Sequence, residues 1–304
     1  MDGISHLVVE VSDLKRGEEF YRGILGFDLL GHDRFPDCGR SVLLQAASGQ
    51  WLILSENSQP RSLPQTGVHQ AYRIALSDRE AIGKKLAARR IEVHTYKEDR
   101  PAEGGDNFYF YDPDGNRIQL VASKAGSDTC GKAMGIDHAA VECHDLEWAE
   151  DFYVKILGLS VDHRVGWHTA DYLRAKLWGE GKEDMAPGTR RWDQRYTVME
   201  QKRRIPRPNT QLFLRVGDAV LGIYLATEHR QEPPEKQIAG TPRVGFRADH
   251  RALDETRKLL SERRFPVDGP IEHPVSTPLA ASLYVRDPGG NFLEICVPRE
   301  MGRR

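Results

Sequence analysis

Apolar and polar positions alternate along the chain in a pattern that begins again several times. A strand-like segment at residues 4–11 is followed by a helical segment at 14–25 and by strand-like runs near 41–45 and 51–55. A period of two predicts the strands, and apolar spacings of three and four predict the helix. A stretch rich in proline and serine, residues 59–67, then separates this first βαβββ unit from the next.

The second unit repeats the order of the first. Its expected elements are a strand at 71–76, a helix at 78–89 and strands at 91–96, 107–111 and 117–121. The second half of the chain follows the same order, and its last unit runs from residue 243 to residue 297. The pattern therefore predicts four βαβββ modules.

The two halves also resemble each other residue by residue. Residues 3–14 read GISHLVVEVSDL and residues 135–146 read GIDHAAVECHDL. Near the end of each half, YDPDGNRIQL at 111–120 matches RDPGGNFLEI at 286–295. Asp-Pro-x-Gly-Asn is typical of a tight turn, because proline sets φ and glycine supplies a positive φ, so each copy predicts a hairpin. Such in-register similarity indicates a duplication.

The duplication divides the chain into two homologous domains. We expect a first domain at 1–123, a polar linker at 124–133 without a hydrophobic period, and a second domain at 134–304. A charged segment at about 168–208 is poor in apolar residues and interrupts the third module. This insertion is interpreted either as a lid or as a peripheral addition.

Composition limits the class of protein. The chain has 304 residues with 39% hydrophobic and 29% charged residues, which is typical of a soluble globular protein. A formal net charge of −2 argues against a nucleic-acid partner, and the local run of basic residues between 190 and 207 is expected to be a solvated loop.

The sequence carries no targeting or membrane signal. Its apolar runs are shorter than the roughly 18–20 residues that cross a bilayer, so we expect no membrane partner and a cytoplasmic location. The four cysteines, Cys38, Cys130, Cys143 and Cys296, are scattered and form no zinc-binding spacing. We expect free thiols in a reducing compartment.

Two motifs carry a resemblance to a known family. Paired βαβββ modules with G-x-x-H in the first strand and D-P-x-G-x-x-[LI]-[EQ] in the last resemble the vicinal-oxygen-chelate superfamily, which includes glyoxalase I, fosfomycin-resistance thiol transferases, bleomycin-resistance proteins and extradiol dioxygenases. The resemblance implies an α+β fold in which the four modules pair into two open, cup-shaped mixed β-sheets. It also implies metal ligands at inward-facing positions of the first and last strands.

In the first domain the resemblance places metal ligands at His6, His69 and Gln119. Strand alternation supports this for His6, which points away from the face that packs under the helix. Ile53 falls on a fourth ligand position and is apolar. Two imidazoles and a side-chain oxygen suit one divalent metal ion, Fe²⁺, Mn²⁺, Ni²⁺ or Zn²⁺, although a neutral amide binds a cation more weakly than a carboxylate.

In the second domain the equivalent residues form a different set. The resemblance places His138 at the first ligand position, Glu294 at the last and Tyr224 at the remaining one, while Arg243 stands where a second histidine is expected. A guanidinium cannot bind a cation. We therefore expect either a second metal site or a decayed site in which Arg243 forms an ion pair with Glu294.

Aromatic residues near these positions are candidates for a substrate pocket. By strand alternation Tyr72, Tyr109 and Tyr284 are expected to face the cups, and Tyr224 joins them from its position near the expected ligands. The residues do not identify a catalytic acid, base or nucleophile.

The resemblance implies a metal-dependent enzyme that chelates a small oxygenated substrate, including an aromatic diol, through vicinal oxygens. The four-module architecture is that of an extradiol dioxygenase, whose metal lies in the second domain on two histidines and a glutamate. One alternative is a glyoxalase-like or thiol-transferase-like enzyme with a single metal site in the first domain. Another is a metal-free, bleomycin-resistance-type binding protein. We expect a small-molecule partner, and the sequence leaves open whether the chain forms a homodimer.

Overall fold

The computed structural model describes six stretches of the chain: residues 1–60, 67–95, 108–123, 131–166, 210–226 and 236–299. The insertion expected at 168–208 and most of the expected linker lie outside these residues, as does Cys130. The other three cysteines are buried free thiols.

The first half contains two modules with the expected order of elements. Its first module consists of β1 (Gly3–Val11), α1 (Leu14–Leu25), β2 (Asp28–His32), β3 (Ser41–Gln45) and β4 (Trp51–Glu56). Its second module consists of β5 (His69–Ala75), a 3-10 turn (Leu76–Asp78), α2 (Arg79–Ala88), β6 (His94–Thr95), β7 (Phe108–Tyr111) and β8 (Arg117–Ser123).

The second half repeats this order. The third module consists of β9 (Gly135–Cys143), α3 (Leu146–Lys155), β10 (Ser160–Val165), β11 (Gln211–Val216) and β12 (Ala219–Leu225). The fourth consists of β13 (Arg243–Arg247), α4 (His250–Glu262), β14 (Val267–Glu272), β15 (Leu279–Arg286) and β16 (Phe292–Pro298).

The strands form two mixed sheets of eight strands each. One has the order β14-β15-β16-β13-β1-β4-β3-β2 and joins the first module to the fourth; we call it the outer-module sheet. The other has the order β10-β11-β12-β9-β5-β8-β7-β6 and joins the second module to the third; we call it the inner-module sheet. The seams are antiparallel pairs of first strands, β1 with β13 and β5 with β9. The predicted fold class, four βαβββ modules paired into two mixed sheets, is confirmed.

Consecutive modules do not share a sheet, and each sheet combines one module from the first half of the chain with one from the second half. Consecutive modules pack instead through their helices and convex faces, which together form one apolar core. Phe20, Tyr21 and Phe27 from the first module meet Tyr72 and Phe110 from the second in this core. The hydrophobic pattern predicts which face of each strand is buried, but it does not say which module completes the sheet.

Tyr72 belongs to this core, and the prediction that it faces a cup is wrong. Its ring is fully buried and lies 5.2 Å from the ring of Phe27. Alternation along β5 explains this, because His69 and Ala71 share the concave face while Tyr72 lies on the opposite face.

The repeated turn motif ties the two sheets together at equivalent places in each half. The turn aspartate accepts a hydrogen bond from a helix tyrosine, and the turn asparagine donates to a backbone carbonyl of the first strand. The pairs, with the donor first, are Tyr21–Asp112 at 3.0 Å, Tyr153–Asp287 at 2.7 Å, Asn116–Glu10 at 2.9 Å and Asn291–Glu142 at 2.8 Å. The tyrosines and aspartates are buried and the asparagines are half-buried, so each pair satisfies polar atoms that would otherwise destabilise the core.

Local sequence also sets the ends of the first helix. Asp13 accepts a hydrogen bond from the backbone of Arg16 and begins α1, and Gly26 ends it with a φ of 66°. Gly158 has a φ of 71° in the equivalent place of the third module, which accounts for the repeated Ile-Leu-Gly. Within the described residues, no helix has the length and apolar character needed to cross a bilayer.

Candidate functional site

Each cup carries one row of concave residues that crosses its sheet in register. In the outer-module sheet the row is Tyr284, Glu294, Gly245, His6 and Trp51. In the inner-module sheet the row is Tyr109, Gln119, Ala71, His138 and Val220. Arg243 lies two residues before Gly245, and His69 lies two residues before Ala71. Arg243 and His69 therefore occupy equivalent places in the two sheets. The rows define two comparable sites, the outer cup and the inner cup.

The rows regroup the residues that the sequence assigned to metal sites. His6 lies in the outer cup, whereas His69 and Gln119 lie in the inner cup, so the expectation that these three surround one metal ion is wrong. His138 lies in the inner cup, away from Arg243 and Glu294 in the outer cup. The site within the second domain that an extradiol dioxygenase would use is therefore not assembled.

A buried ion pair occupies the outer cup. Glu294 Oε2 lies 2.7 Å from Arg243 Nε and 3.1 Å from His6 Nε2, and these three side chains have no exposed surface. The hydroxyl of Ser282 donates to Glu294 Oε1 at 2.6 Å. The ion pair between Arg243 and Glu294 that the sequence suggested is present.

The buried acidic and basic groups of the outer cup stabilise each other's charged forms. Burial alone would raise the pKa of Glu294, but the Arg243 guanidinium, together with His6 and Ser282, lowers it to about 2. Burial opposes the charge of Arg243, yet the nearby Glu294 carboxylate outweighs it and raises the pKa of the guanidinium. Both groups are therefore charged at neutral pH.

The loop between β2 and β3 closes the outer cup. Phe35 packs its ring 4.7 Å from the ring of His6, and Pro36 accepts a hydrogen bond from Arg243 at its carbonyl oxygen, 3.2 Å away. Asp37 accepts a hydrogen bond from the hydroxyl of Tyr284 at 2.6 Å. A guanidinium at the place of a ligand repels a cation, so the outer cup does not fit a metal ion.

Gly245 is the residue that lets this cluster form. A Cβ atom at this position would lie 2.1 Å from the ring of His6. No real side chain tolerates that distance, so only glycine allows His6 to lie across β13 and reach Glu294.

Two histidines face each other in the inner cup. His69 Nε2 lies 2.9 Å from His138 Nε2. His69 Nδ1 is 2.6 Å from the carbonyl oxygen of Gly67, and His138 Nδ1 is 2.6 Å from Asp137 Oδ1. A carbonyl oxygen and an ionised carboxylate can only accept, so both Nδ1 atoms carry the proton.

This protonation pattern leaves the two Nε2 atoms as facing lone pairs. Two lone pairs at that distance repel unless a proton or a metal ion lies between them. Two nitrogens that bind one metal ion at about 2.1 Å and at right angles are themselves about 3 Å apart. The histidine pair therefore fits a divalent cation, and the hydrogen bonds at Nδ1 are those that orient metal-binding histidines.

Asp137 reaches His138 because of a β-bulge. The register between β5 and β9 shifts so that Ala71 opposes His138 and Tyr72 opposes Ile136, which leaves Asp137 as the extra residue. Burial would raise the pKa of Asp137, but the hydrogen bond from His138 and the charges of His138 and Arg73 lower it overall. The carboxylate is therefore ionised and holds the His138 ring in place.

Gln119 gives the inner cup a neutral oxygen donor. It is buried, and alternation along β8 places it on the concave face, because Ile118 and Leu120 belong to the core. It occupies the position of Glu294 in the outer cup. In the part of the chain that the structure describes, no three histidine, cysteine or acidic side chains are grouped as metal ligands. The inner cup thus offers two imidazoles and an amide.

Aromatic rings surround the histidine pair. The rings of Tyr109 and Tyr224 lie 5.9 and 5.8 Å from the ring of His69, and the guanidinium of Arg117 lies 4.6 Å from the Tyr109 ring centre. Tyr109 and Tyr224 therefore line the inner cup, and Tyr284 lies in the outer cup. Whether any of these three tyrosines contacts a substrate stays a prediction.

Tyr224, however, is not at the fourth ligand position that the sequence alignment gave it. Ile53 opposes Val8 in the outer-module sheet, and the residue that opposes the matching Ala140 in the inner-module sheet is Gly222. Tyr224 lies two residues further along β12. No sequence motif fixes the register of β12, and the expected position was displaced by two residues.

Sequence reasoning missed the residues that support the histidine pair. Asp137 had a visible signal, because GISH in the first half becomes GIDH in the second and places a carboxylate beside the histidine. The carbonyl of Gly67 had none, since any residue supplies one. Glu142, which is fully buried and accepts a hydrogen bond from the backbone of Gly67 at 2.8 Å, was recognisable only as a charged residue in an apolar strand.

Comparisons with known proteins bear on the whole chain. The family model described as Glyoxalase/Bleomycin resistance protein/Dioxygenase superfamily matches residues 3–120 and 135–295. The metallothiol transferase FosB of Staphylococcus epidermidis is 31% identical over 120 residues, which are 39% of this chain and 81% of that protein. The glutathione transferase FosA of Serratia marcescens is 26% identical over 123 residues, 40% of this chain and 80% of that protein.

Solved structures share the four-module fold. Glyoxalase I from Zea mays matches with a TM-score of 0.60 and 18% identity, over 97% of this chain and 92% of that chain. A protein of Bacillus subtilis subsp. subtilis str. 168, described as a putative dioxygenase, matches with a TM-score of 0.67 and 16% identity, over 98% and 85%. At these identities the likeness shows the fold alone. With the family model matched in both halves, the chain belongs to the Glyoxalase/Bleomycin resistance protein/Dioxygenase superfamily.

Proposed function

We propose that the protein is a metal-dependent enzyme of the glyoxalase or thiol-transferase type, with its active site in the inner cup. The observation that carries this proposal is the histidine pair: two Nε2 atoms 2.9 Å apart, each ring held by an acceptor at Nδ1. The outer cup, filled by its own ion pair and loop, would act as a structural counterpart.

The relatives favour this reaction class over ring cleavage. The proteins with significant sequence identity are named as metallothiol and glutathione transferases, whereas the protein described as a dioxygenase shares only the fold. A thiol or its adduct with a small electrophile is therefore the substrate class we propose first.

Each residue of the inner cup would have a separate role. His69 and His138 would hold the metal ion, with Gln119 as an oxygen donor, and a bound divalent ion supplies a Lewis acid that polarises a substrate oxygen. Asp137 and the Gly67 carbonyl keep both imidazoles in one tautomer, so their Nε2 atoms stay available. Tyr109 and Tyr224 flank the pair and exclude water from one side of the substrate.

Metal content of untagged protein tests the proposal. Plasma mass spectrometry of the purified chain should find close to one Fe, Mn, Ni or Zn per chain. His69→Ala combined with His138→Ala should remove it, whereas His6→Ala, the matched change in the outer cup, should not. Metal that survives the double substitution but disappears in His6→Ala would move the site to the outer cup and refute the assignment.

Reactivity tests the reaction class. Metal-loaded protein should accelerate the loss of free glutathione thiol in the presence of a small electrophile, followed with a thiol reagent, and the histidine double variant should not. Cleavage of a catechol with oxygen uptake, without any thiol consumption, would instead support a dioxygenase.

A metal-free binding protein is the second candidate. Among the described residues the donor set of the inner cup, His69, His138 and Gln119, holds no carboxylate, which favours this candidate, as does the aromatic lining. Protein that contains no metal after purification, that takes up none on dialysis, and that still binds an aromatic ligand in the inner cup would support this alternative over an enzyme.

A further inference from the structure

We propose that a groove between the third and fourth modules binds a small aromatic anion, that is, a planar ring that carries a phosphate or a carboxylate. The groove lies between the first turn of α3, the turn after α4 and the turn between β15 and β16. It is open to solvent and has a volume of about 920 Å³, which suits a small molecule. It shares no residue with the proposed metal site, so a ligand bound there would be additional to the substrate.

Trp148 gives one side of the groove a flat apolar surface. Its side chain is 54% exposed, whereas most large apolar side chains of the described residues are buried. Phe265 also lines the groove, and its ring packs 5.0 Å from the ring of Phe152 in the core. The ring of a ligand can therefore stack on Trp148 and remove apolar surface from water.

Arginines give the groove a positive charge. Arg263, Arg264 and Arg286 line it together with one carboxylate, that of Asp287. Asp287 accepts hydrogen bonds from Tyr153 and from the turn asparagine, which hold it within the fold. Neither Arg263 nor Arg264 forms an ion pair with any residue that the structure describes. A guanidinium is a bidentate partner for a phosphate or a carboxylate, so these two side chains suit an anion.

Acidic side chains near the groove do not cancel this charge. Asp145 caps α3 and, like Glu147, does not line the groove. Three further carboxylates of the flanking helices form ion pairs: Glu150 with Arg164, Asp151 with Lys155 and Glu262 with Lys258. The described lining therefore sets three arginines against one aspartate.

The equivalent place in the first half is occupied by an ion pair. The in-register repeat puts Arg16 where the second half has Trp148, and the turn motif puts Asp114 where it has Gly289. Arg16 Nη2 lies 2.8 Å from Asp114 Oδ1. The second half therefore has an exposed ring where the first half has a pair of opposite charges.

The arginine that follows the helix is also placed differently in the two halves. Arg89 follows α2 as Arg263 follows α4. Arg89 lies so close to α1 that a Cβ atom at Gly23 would clash with its guanidinium. Lys155 stands at the position of Gly23, so Arg263 cannot lie against α3 in this way and lines the groove instead. Both halves thus have a charge at this helix end, but the second half presents it beside an aromatic ring.

Isothermal titration calorimetry of the full-length chain tests the proposal with four probes. Naphthyl phosphate and naphthoate carry both a ring and a charge, naphthamide carries the ring alone, and inorganic phosphate carries the charge alone. At least one of the two aromatic anions should bind at least about 10-fold more tightly than naphthamide and inorganic phosphate, because stacking and charge pairing each contribute about that factor. The anion that binds more tightly identifies the preferred anionic group.

Trp148→Ala and Arg263→Gln should each weaken the binding of that anion about 10-fold, and circular dichroism should show both variants folded because both side chains are exposed. Arg89→Gln, the matched change in the first half, and the His69→Ala/His138→Ala double variant should bind it as the wild type does. The proposal would be overturned if neither anion bound at millimolar concentration, if naphthamide or phosphate bound equally well, or if both groove variants left the affinity unchanged. Loss of binding in the histidine double variant would place the ligand in the inner cup and would also overturn the proposal.

Discussion

Replacement of Arg243 by methionine should strongly destabilise the protein at neutral pH. The substitution keeps an apolar chain of similar length at the centre of the outer cup but removes the charge 2.7 Å from Glu294. Glu294 would then be a fully buried carboxylate with only His6 and Ser282 as partners. Removing one partner of a buried ion pair leaves an uncompensated charge, which is the costly case.

Two routes give a similar magnitude. The pKa of Glu294 falls from an ordinary 4.5 to about 2, and at 1.36 kcal/mol per unit this corresponds to about 3 kcal/mol of stability at pH 7. Breaking a buried pair by truncating one partner typically costs about 3–5 kcal/mol. We therefore expect Arg243→Met to lower the free energy of unfolding by about 3–5 kcal/mol.

The pH dependence separates this cause from a simple packing defect. Because the pKa of Glu294 is lowered in the folded chain, its contribution is present above about pH 5 and is lost as the pH falls toward 2. In Arg243→Met, burial is no longer offset and should raise the pKa of Glu294 above its ordinary value. The difference in the free energy of unfolding between the wild type and Arg243→Met should then become smaller as the pH is lowered from 7 toward 4.

Urea unfolding followed by circular dichroism, at several pH values, measures both quantities. Arg247→Met is the matched control, because Arg247 lies on the same strand with an exposed side chain, and it should cost less than about 1 kcal/mol. Adding Glu294→Gln to Arg243→Met should recover part of the loss. The reasoning would be refuted if Arg243→Met lowered the free energy of unfolding by less than about 1 kcal/mol. It would also be refuted if the difference from the wild type did not change with pH.

Three further predictions concern single positions. Asp137→Asn should weaken Mn²⁺ binding about 10-fold to 100-fold in calorimetric titration with little change in urea stability, since it loosens His138 without touching the core; unchanged affinity would contradict the role of Asp137. Gly245→Ala should lower the free energy of unfolding by about 1–3 kcal/mol, because its Cβ would lie 2.1 Å from the ring of His6; a neutral effect would argue against that packing. The pKa of the Cys38 thiol is raised by burial to about 12, so it should react slowly with a thiol reagent at pH 8, and Phe35→Ala should accelerate the reaction by opening the outer cup; equal rates would show that Phe35 does not shield it.

The sequence was informative wherever a local pattern is decisive. The period-two strands and the Asp-Pro-x-Gly-Asn turns predicted the modules, and the structure contains four of them in the expected order. The histidines and Glu294 were recognisable because a charged or ligating side chain in an apolar strand needs a partner.

The pairing of modules was not recognisable, and it changed the site. His69 and His138 are both first-strand histidines, and nothing in either segment states that β5 lies beside β9. Pairing of first strands depends on how the helices of consecutive modules pack, a long-range property that no local motif encodes. The packing of Phe35 against His6 could not be predicted either, because in the sequence a phenylalanine in a loop looks like any other apolar residue.

The way the outer-module sheet is built also bears on how the chain folds. Gly3 pairs with Arg247, so β1 must find a partner strand that is synthesised much later than itself. Until then β1 presents an open edge that could pair with another chain. Contacts so distant in sequence form late and slow the search for the native state. The first half released alone should therefore be prone to association, and adding the second half as a separate fragment should rescue it.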